Sequence, residues 1–153
     1  MRSILMFAFV ILGLKSHAAT MQDIRDLLEV ASTDEASNQR LVDLTKSYTL
    51  KENPVLYAYH AAGVMTMANH VYWPGTKLDY FNEGKEKLEK AVNFALTNVE
   101  IRFIRYCVQK GSPSMLGYTD DISEDKKYIL KHIGRSGWSK DYQDKVVKFL
   151  NEE

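Results

Sequence analysis

Arg102 and Arg105 stand three residues apart in a run, Val99 to Gln109, whose other members are largely apolar. Residues at i, i+3 and i+4 share one face of a helix, so this spacing sets two guanidiniums side by side with Gln109 one further turn on. Two planar guanidiniums can clamp a carboxylate or phosphate through parallel hydrogen bonds, a geometry suited to a peptide C-terminus or an acidic loop. The same pair, if buried, must be neutralised from within, and Asp120, Asp121 and Glu124 are near enough in sequence to do it. Tyr57, Tyr59, Tyr72, Trp73 and Tyr80 gather aromatic rings with polar tips around one helix–turn–helix corner. Such residues dominate binding hot spots, and they also fill cores whose interior offers their polar tips a partner. The partner-binding surface expected from these patterns comprises Arg102, Arg105, Tyr59, Trp73 and Gln109, in a groove between the third and fifth helices.

Catalytic and metal-binding signals are sparse. Met65, Met67, His60 and His70 offer soft ligands of the kind copper takes. Met67 and His70 share a face, but Met65 points elsewhere and His60 lies ten residues from His70, so methionine as core filler is the expectation. No carboxylate pair is placed for glycosidic chemistry, and no nucleophile elbow is present. Gly111-Ser-Pro-Ser lacks the lysine and flanking glycines of a phosphate-binding loop. No catalytic residue, metal or cofactor is therefore expected. A small envelope enzyme or ligand carrier using His60 or His70 is the alternative, and a structural subunit of an envelope assembly is a third reading.

The elements that must position these residues read as helices. Ile24, Leu27, Leu28 and Ala31 form a first apolar stripe with 3.6-residue period. Ser32 with Glu35 makes a capping-box signal for a second helix bearing Leu41, Leu44 and Tyr48. Asn53-Pro54 reads as N-cap and first helical residue. The helix it opens, to about His70, carries no Asp, Glu, Lys or Arg, which marks a core helix covered on most sides. After Tyr72-Trp73-Pro74-Gly75, a fourth helix shows Leu78, Phe81, Leu88, Val92 and Ala95 inward, with Glu83–Lys87 and Glu86–Lys90 paired outward. Val99 to Gln109 forms a fifth helix, Thr119 or Asp121 caps a sixth with Ile122, Ile129, Leu130 and Ile133 inward, and Ser139 caps a seventh with Tyr142, Val146, Phe149 and Leu150 inward. Lys110 to Tyr118 forms a loop whose Met115, Leu116 and Tyr118 either contact a partner or plug a gap in the core.

The N-terminus suggests a compartment. Arg2, the apolar run Ile4 to Leu14 and the small residues Ser16 and Ala18 have the order of a cleavable signal peptide, with the cut expected after Ala18 and a single helical domain over 19–153. Eleven apolar residues fall short of the roughly 20 a bilayer span needs, so no membrane insertion is expected after cleavage. Losing Arg2 and Lys15 leaves 18 basic and 20 acidic side chains, a net charge of −2. That balance excludes electrostatically driven nucleic-acid binding. Cys107 is the sole cysteine, so no internal disulfide can form, and its place in an apolar helix reads as a buried small hydrophobe.

Two resemblances follow from these residues. Gly84, Leu88, Ala91 and Val92 are placed as in the second helix of a tetratricopeptide repeat, although Leu96 stands where that family has proline. This resemblance implies antiparallel helix pairs in a right-handed stack with a peptide-binding surface. Asn98 to Tyr106, Gly111 to Tyr118 and Asp125-Lys126 look like exported helical proteins of Bacteroidota-type bacteria, a similarity covering roughly residues 53–133, which implies a periplasmic or extracellular location. The expectation is an exported all-α module that binds a protein or peptide.

Overall fold

Thr20 begins the first helix with a reciprocal cap: its hydroxyl accepts from the Asp23 amide while the Asp23 carboxylate accepts from the Thr20 amide. In the computed structural model, which describes residues 18–152, the elements are all helical. They are α1 (Met21–Val30), α2 (Glu35–Thr45), α3 (Pro54–Thr66), α4 (Pro74–Phe94), α5 (Val99–Gly111), α6 (Ile122–His132) and α7 (Lys140–Asn151). Short 3-10 turns cover Met67–Asn69, Ser114–Leu116 and Ile133–Arg135, and no strand occurs among the described residues. The all-α class stands. Among the described residues no helix is long and apolar enough to cross a membrane. The segment expected to be cleaved lies outside them, apart from Ala18.

Local chemistry sets the boundaries. Asn53 and Ser139 cap α3 and α7 as expected, and Asn98 caps α5, each accepting from the amide three residues on. The second helix departs from expectation: its cap is Asp34, accepting from the Ser37 amide at 3.1 Å, and not Ser32. The amides of Thr33 and Asp34 are both held by the Val30 carbonyl at 3.0 Å, so Ser32 and Thr33 belong to the turn that closes α1.

α3 is the hub. It packs against α1, α2, α4 and α5, and Ala58, Tyr59, Ala61, Ala62, Gly63, Val64 and Met65 are buried. Small residues set the spacing. A Cβ at Gly84 of α4 would lie 2.6 Å from the Ala61 carbonyl oxygen and the Met65 amide nitrogen, so α4 can lie this close to α3 only with glycine there.

The apolar interior has two parts. The first joins α1–α4 to one side of α5 through Leu41, Phe81, Leu88, Ile101 and Ile104. The second joins the other side of α5 to α6, Trp138 and α7 through Val99, Tyr106, Ile129, Val146 and Leu150. α5 is the shared wall. Leu78, Leu130 and Phe149, expected inward, are partly exposed at 49%, 36% and 38%. Phe149 stands edge-on to Phe103 and Tyr106, with centroids 6.1 and 6.0 Å away. α7 makes few close backbone approaches to other helices, so side chains supply most of its attachment.

Candidate functional site

The arginine pair is committed to the interior. Arg102 and Arg105 are 8% and 5% exposed, and both reach Asp125, a fully buried carboxylate on α6. Arg105 Nε and Nη2 donate to the two Asp125 oxygens at 2.7 and 2.9 Å, and Arg102 Nη1 donates to Oδ1 at 2.7 Å. Glu124, Glu89 and Asp121 complete the set at 3.0, 3.1 and 3.3 Å from the guanidiniums. Burial disfavours the charge on Arg105, but hydrogen bonding and ion pairing with Asp125, then Glu89 and Asp121, outweigh it and raise its pKa. Gln109 is buried as well and donates to Asp121 at 3.0 Å. These three residues lock α5 to α6 and α4, which corrects their assignment to an open binding face. Two buried cations need carboxylates, and here the fold supplies them from its own chain.

Tyr59 and Trp73 also separate. Tyr59 is 1% exposed, and its hydroxyl donates to Glu100 Oε1 at 2.8 Å. Trp73 is 71% exposed and stands edge-on to Tyr72 at 5.6 Å, at the N-terminus of α4. The five expected residues therefore do not form one surface. α3 and α5 are in direct contact, and the concavity that both of them line is completed by α1, the start of α4 and α7.

A second, part-buried polar centre escaped sequence reasoning. Glu100 on α5 accepts from Arg25 Nε and Nη2 at 2.8 and 3.0 Å, from Tyr59 at 2.8 Å, and from the Trp138 indole nitrogen at 3.2 Å. The Arg25 guanidinium also lies 4.9 Å from the Tyr142 ring centroid. One carboxylate thus ties α1, α3, α5 and the segment before α7.

Beside this centre lies the main concavity, a groove of about 820 Å³ bounded by α1, α3, the start of α4, α5, residues 111–116 and α7. Its volume lies within the 300–1,000 Å³ typical of small-molecule sites. Leu28, Met65, Phe81, Phe103, Val108, Leu116, Val146 and Phe149 make its walls mainly apolar. Tyr59 is the one member of the expected set that lines it. No protein-family model, curated protein or solved structure matches the chain. What the site can do therefore rests on its geometry.

Several of the groove's polar side chains are held within the chain. Arg25 and Tyr59 are held by Glu100, Thr66 donates to the Ala62 carbonyl at 2.8 Å, and Ser112 donates to the Val108 carbonyl at 2.6 Å. Cys107 lines the wall, where burial raises its thiol pKa from an ordinary 9.0 to about 12, so at neutral pH it is protonated and a poor nucleophile. Burial likewise raises the Tyr142 hydroxyl. His60 and His70 lie away from the groove. His70 Nε2 donates to the Ala31 carbonyl at 2.7 Å, pinning the turn after α3 to the end of α1. His60 is half-buried, and burial, then the charge of Lys87, lowers its pKa. Among the described residues no group of three or more His, Cys, Asp and Glu side chains could hold a metal ion. The 111–118 loop divides between its two expected roles: Tyr118 is buried edge-on to Phe81 at 6.0 Å, Leu116 packs on the core, and Met115 stands 88% exposed.

Proposed function

We propose that the protein is a non-catalytic exported module that holds an apolar or amphiphilic ligand in the groove between α1, α5 and α7. The observation that carries this reading is an apolar concavity of ligand-sized volume whose polar wall groups are largely bound within the chain. Chemistry on a bound substrate needs an activated nucleophile, an acid–base group or a metal at the reacting atoms. The groove's titratable side chains are instead a protonated thiol, the phenols of Tyr59 and Tyr142, Arg25 held by Glu100, three lysines, and the Glu29 carboxylate paired with Lys145 at the rim. The histidine-based enzyme alternative loses support, because neither His60 nor His70 faces the groove. Export is carried by the order of residues 1–18, and the tetratricopeptide resemblance fits a scaffold that binds without reacting.

The test is titration of the folded protein with N-phenylnaphthylamine, whose fluorescence rises in apolar sites. Saturable binding at one site is expected. Val108→Trp, which fills the groove from α5, should abolish it while the circular dichroism spectrum is retained. Leu78→Arg, at the exposed rim, should weaken it without any burden on the core. Absence of binding, or binding unaffected by both substitutions, would refute the reading.

A further inference from the structure

The groove carries an unbalanced charge at its edge, and that imbalance specifies its ligand. Five charged side chains line it: Arg25, Lys77, Lys110 and Lys145 against Glu29. Arg25 is neutralised by Glu100 through two hydrogen bonds, which leaves three lysines and one glutamate, a local excess of two positive charges. This excess sits on a chain whose expected mature form carries a net charge of −2. All three lysines are exposed residues. Lys145 pairs with Glu29 where both side chains are 55% exposed, and exposed pairs of this kind hold weakly. Lys110 donates to the Glu152 carbonyl in an exposed contact. Neither contact needs to be kept when a stronger anion arrives.

The walls narrow the choice further. An extended peptide brings an amide and a carbonyl with every residue, and each loses free energy if buried without a partner. Thr66, Ser112, Tyr59 and Arg25 already donate within the chain, which leaves Ser32, Asn69 and Tyr142 as the neutral polar side chains of the lining, too few for a backbone that brings two polar groups with every residue. A helical peptide satisfies its own backbone, but at a width of about 10 Å and a rise of about 1.5 Å it fills about 120 Å³ per residue. The volume of about 820 Å³ then encloses only about seven residues. A hydrocarbon chain has no polar groups to satisfy and gains from every methylene removed from water.

We infer that the groove's ligand is a single-chain anionic amphiphile, a long acyl chain ending in a carboxylate, with its tail along the apolar walls and its head at the exposed rim to which Lys77, Lys110 and Lys145 give a net positive charge. This rests on the groove being the binding site, and it adds the class of ligand.

The test uses myristate, tetradecanol and tetradecyltrimethylammonium as competitors of N-phenylnaphthylamine on the folded protein, below the concentrations at which they aggregate. Myristate should displace the probe at micromolar concentrations, the alcohol at least tenfold less well, and the cation least well. Replacing Lys77, Lys110 and Lys145 together by glutamine should weaken myristate at least tenfold and leave the alcohol unchanged. These are surface substitutions, and an unaltered melting curve verifies that the variant is folded. Equal affinities for all three amphiphiles, or a triple variant that binds myristate as before, would overturn the anionic head while the groove reading survives. Displacement by an amphipathic helical peptide but by none of the amphiphiles would also overturn it and leave the groove intact. If the probe itself does not bind the folded protein, both readings fall together.

Discussion

Replacing Asp125 by asparagine removes one negative charge and keeps the side chain's shape. Asp125 is the fully buried carboxylate between Arg102 and Arg105, receiving three guanidinium hydrogen bonds at 2.7, 2.7 and 2.9 Å. In the variant one of those acceptors becomes an NH₂ group facing donors, and two buried cations lose their buried partner. Removing one partner of a buried pair costs about 3–5 kcal/mol. Glu89, Glu124 and Asp121 still contact the guanidiniums, which places the expected loss at the lower end, about 3 kcal/mol. For a domain of this size, that lowers the melting temperature by about 6–12 °C. Glu124→Gln serves as the control: its side chain is 69% exposed, and an exposed pair contributes about 1 kcal/mol or less. Urea unfolding followed at 222 nm gives both numbers, and the Arg105→Ala, Asp125→Ala cycle isolates the coupling. A loss below about 1 kcal/mol for Asp125→Asn, or equal losses in variant and control, would show that the pair is not the lock between α5 and α6. The assignment of the arginines to the interior would then be wrong.

Three further outcomes follow from the packing. Gly84→Ala gains up to about 1 kcal/mol of helix propensity but drives a Cβ to 2.6 Å from α3 backbone atoms; a net loss of about 2 kcal/mol or more in urea unfolding is expected, and net stabilisation would refute the close contact. Glu100→Gln should cost about 2 kcal/mol by weakening charge-assisted bonds to Arg25 and should alter the near-ultraviolet dichroism of Trp138, whose indole it holds; an unchanged spectrum would speak against that centre. Cys107, raised to about 12 from 9.0, should be alkylated by iodoacetamide at pH 8 at least a hundredfold more slowly in the folded protein than in guanidinium, as its thiolate fraction demands. Because the folded pKa is the higher one, the stability this thiol contributes is complete below pH 9 and declines between 9 and 12, in the direction linkage requires.

Periodicity made most of the fold legible, because the apolar stripes, Asn53-Pro54, Asn98 and Ser139 are local signals that tertiary structure left in place. Ser32 stands at capping-box spacing from Glu35, but the Val30 carbonyl holds the amides of Thr33 and Asp34, so Ser32 belongs to the turn that closes α1. The arginines were visible, but their main acid was not. Asp125 lies three residues after Ile122 and four before Ile129, on the very stripe read as inward, so the pattern itself placed a carboxylate in the interior. Arg25 was equally readable, since Met21, Arg25 and Leu28 share a face of α1. Its partner Glu100 is 75 positions away, and no local spacing predicts a pairing over that distance. The groove is the least legible feature, because a concavity depends on how far α7 stands from α1 and α5, and sequence spacing carries no such distance.

The division of roles between polar and apolar groups follows from where burial falls. A guanidinium on a helix packed against both parts of the core cannot also face solvent, so Arg102 and Arg105 had to find Asp125 or destabilise the fold. An apolar wall carries no such demand, and Leu28, Phe103 and Val108 can remain partly open at only the cost of unburied area. α7 closes one side of that opening: its buried Val146 and Leu150 seat it on α5 and α6, and ring contacts and the exposed Lys145–Glu29 pair line the groove side. An apolar ligand entering there would add buried contact area between α7 and the helices opposite, so ligand binding and the seating of α7 are thermodynamically coupled.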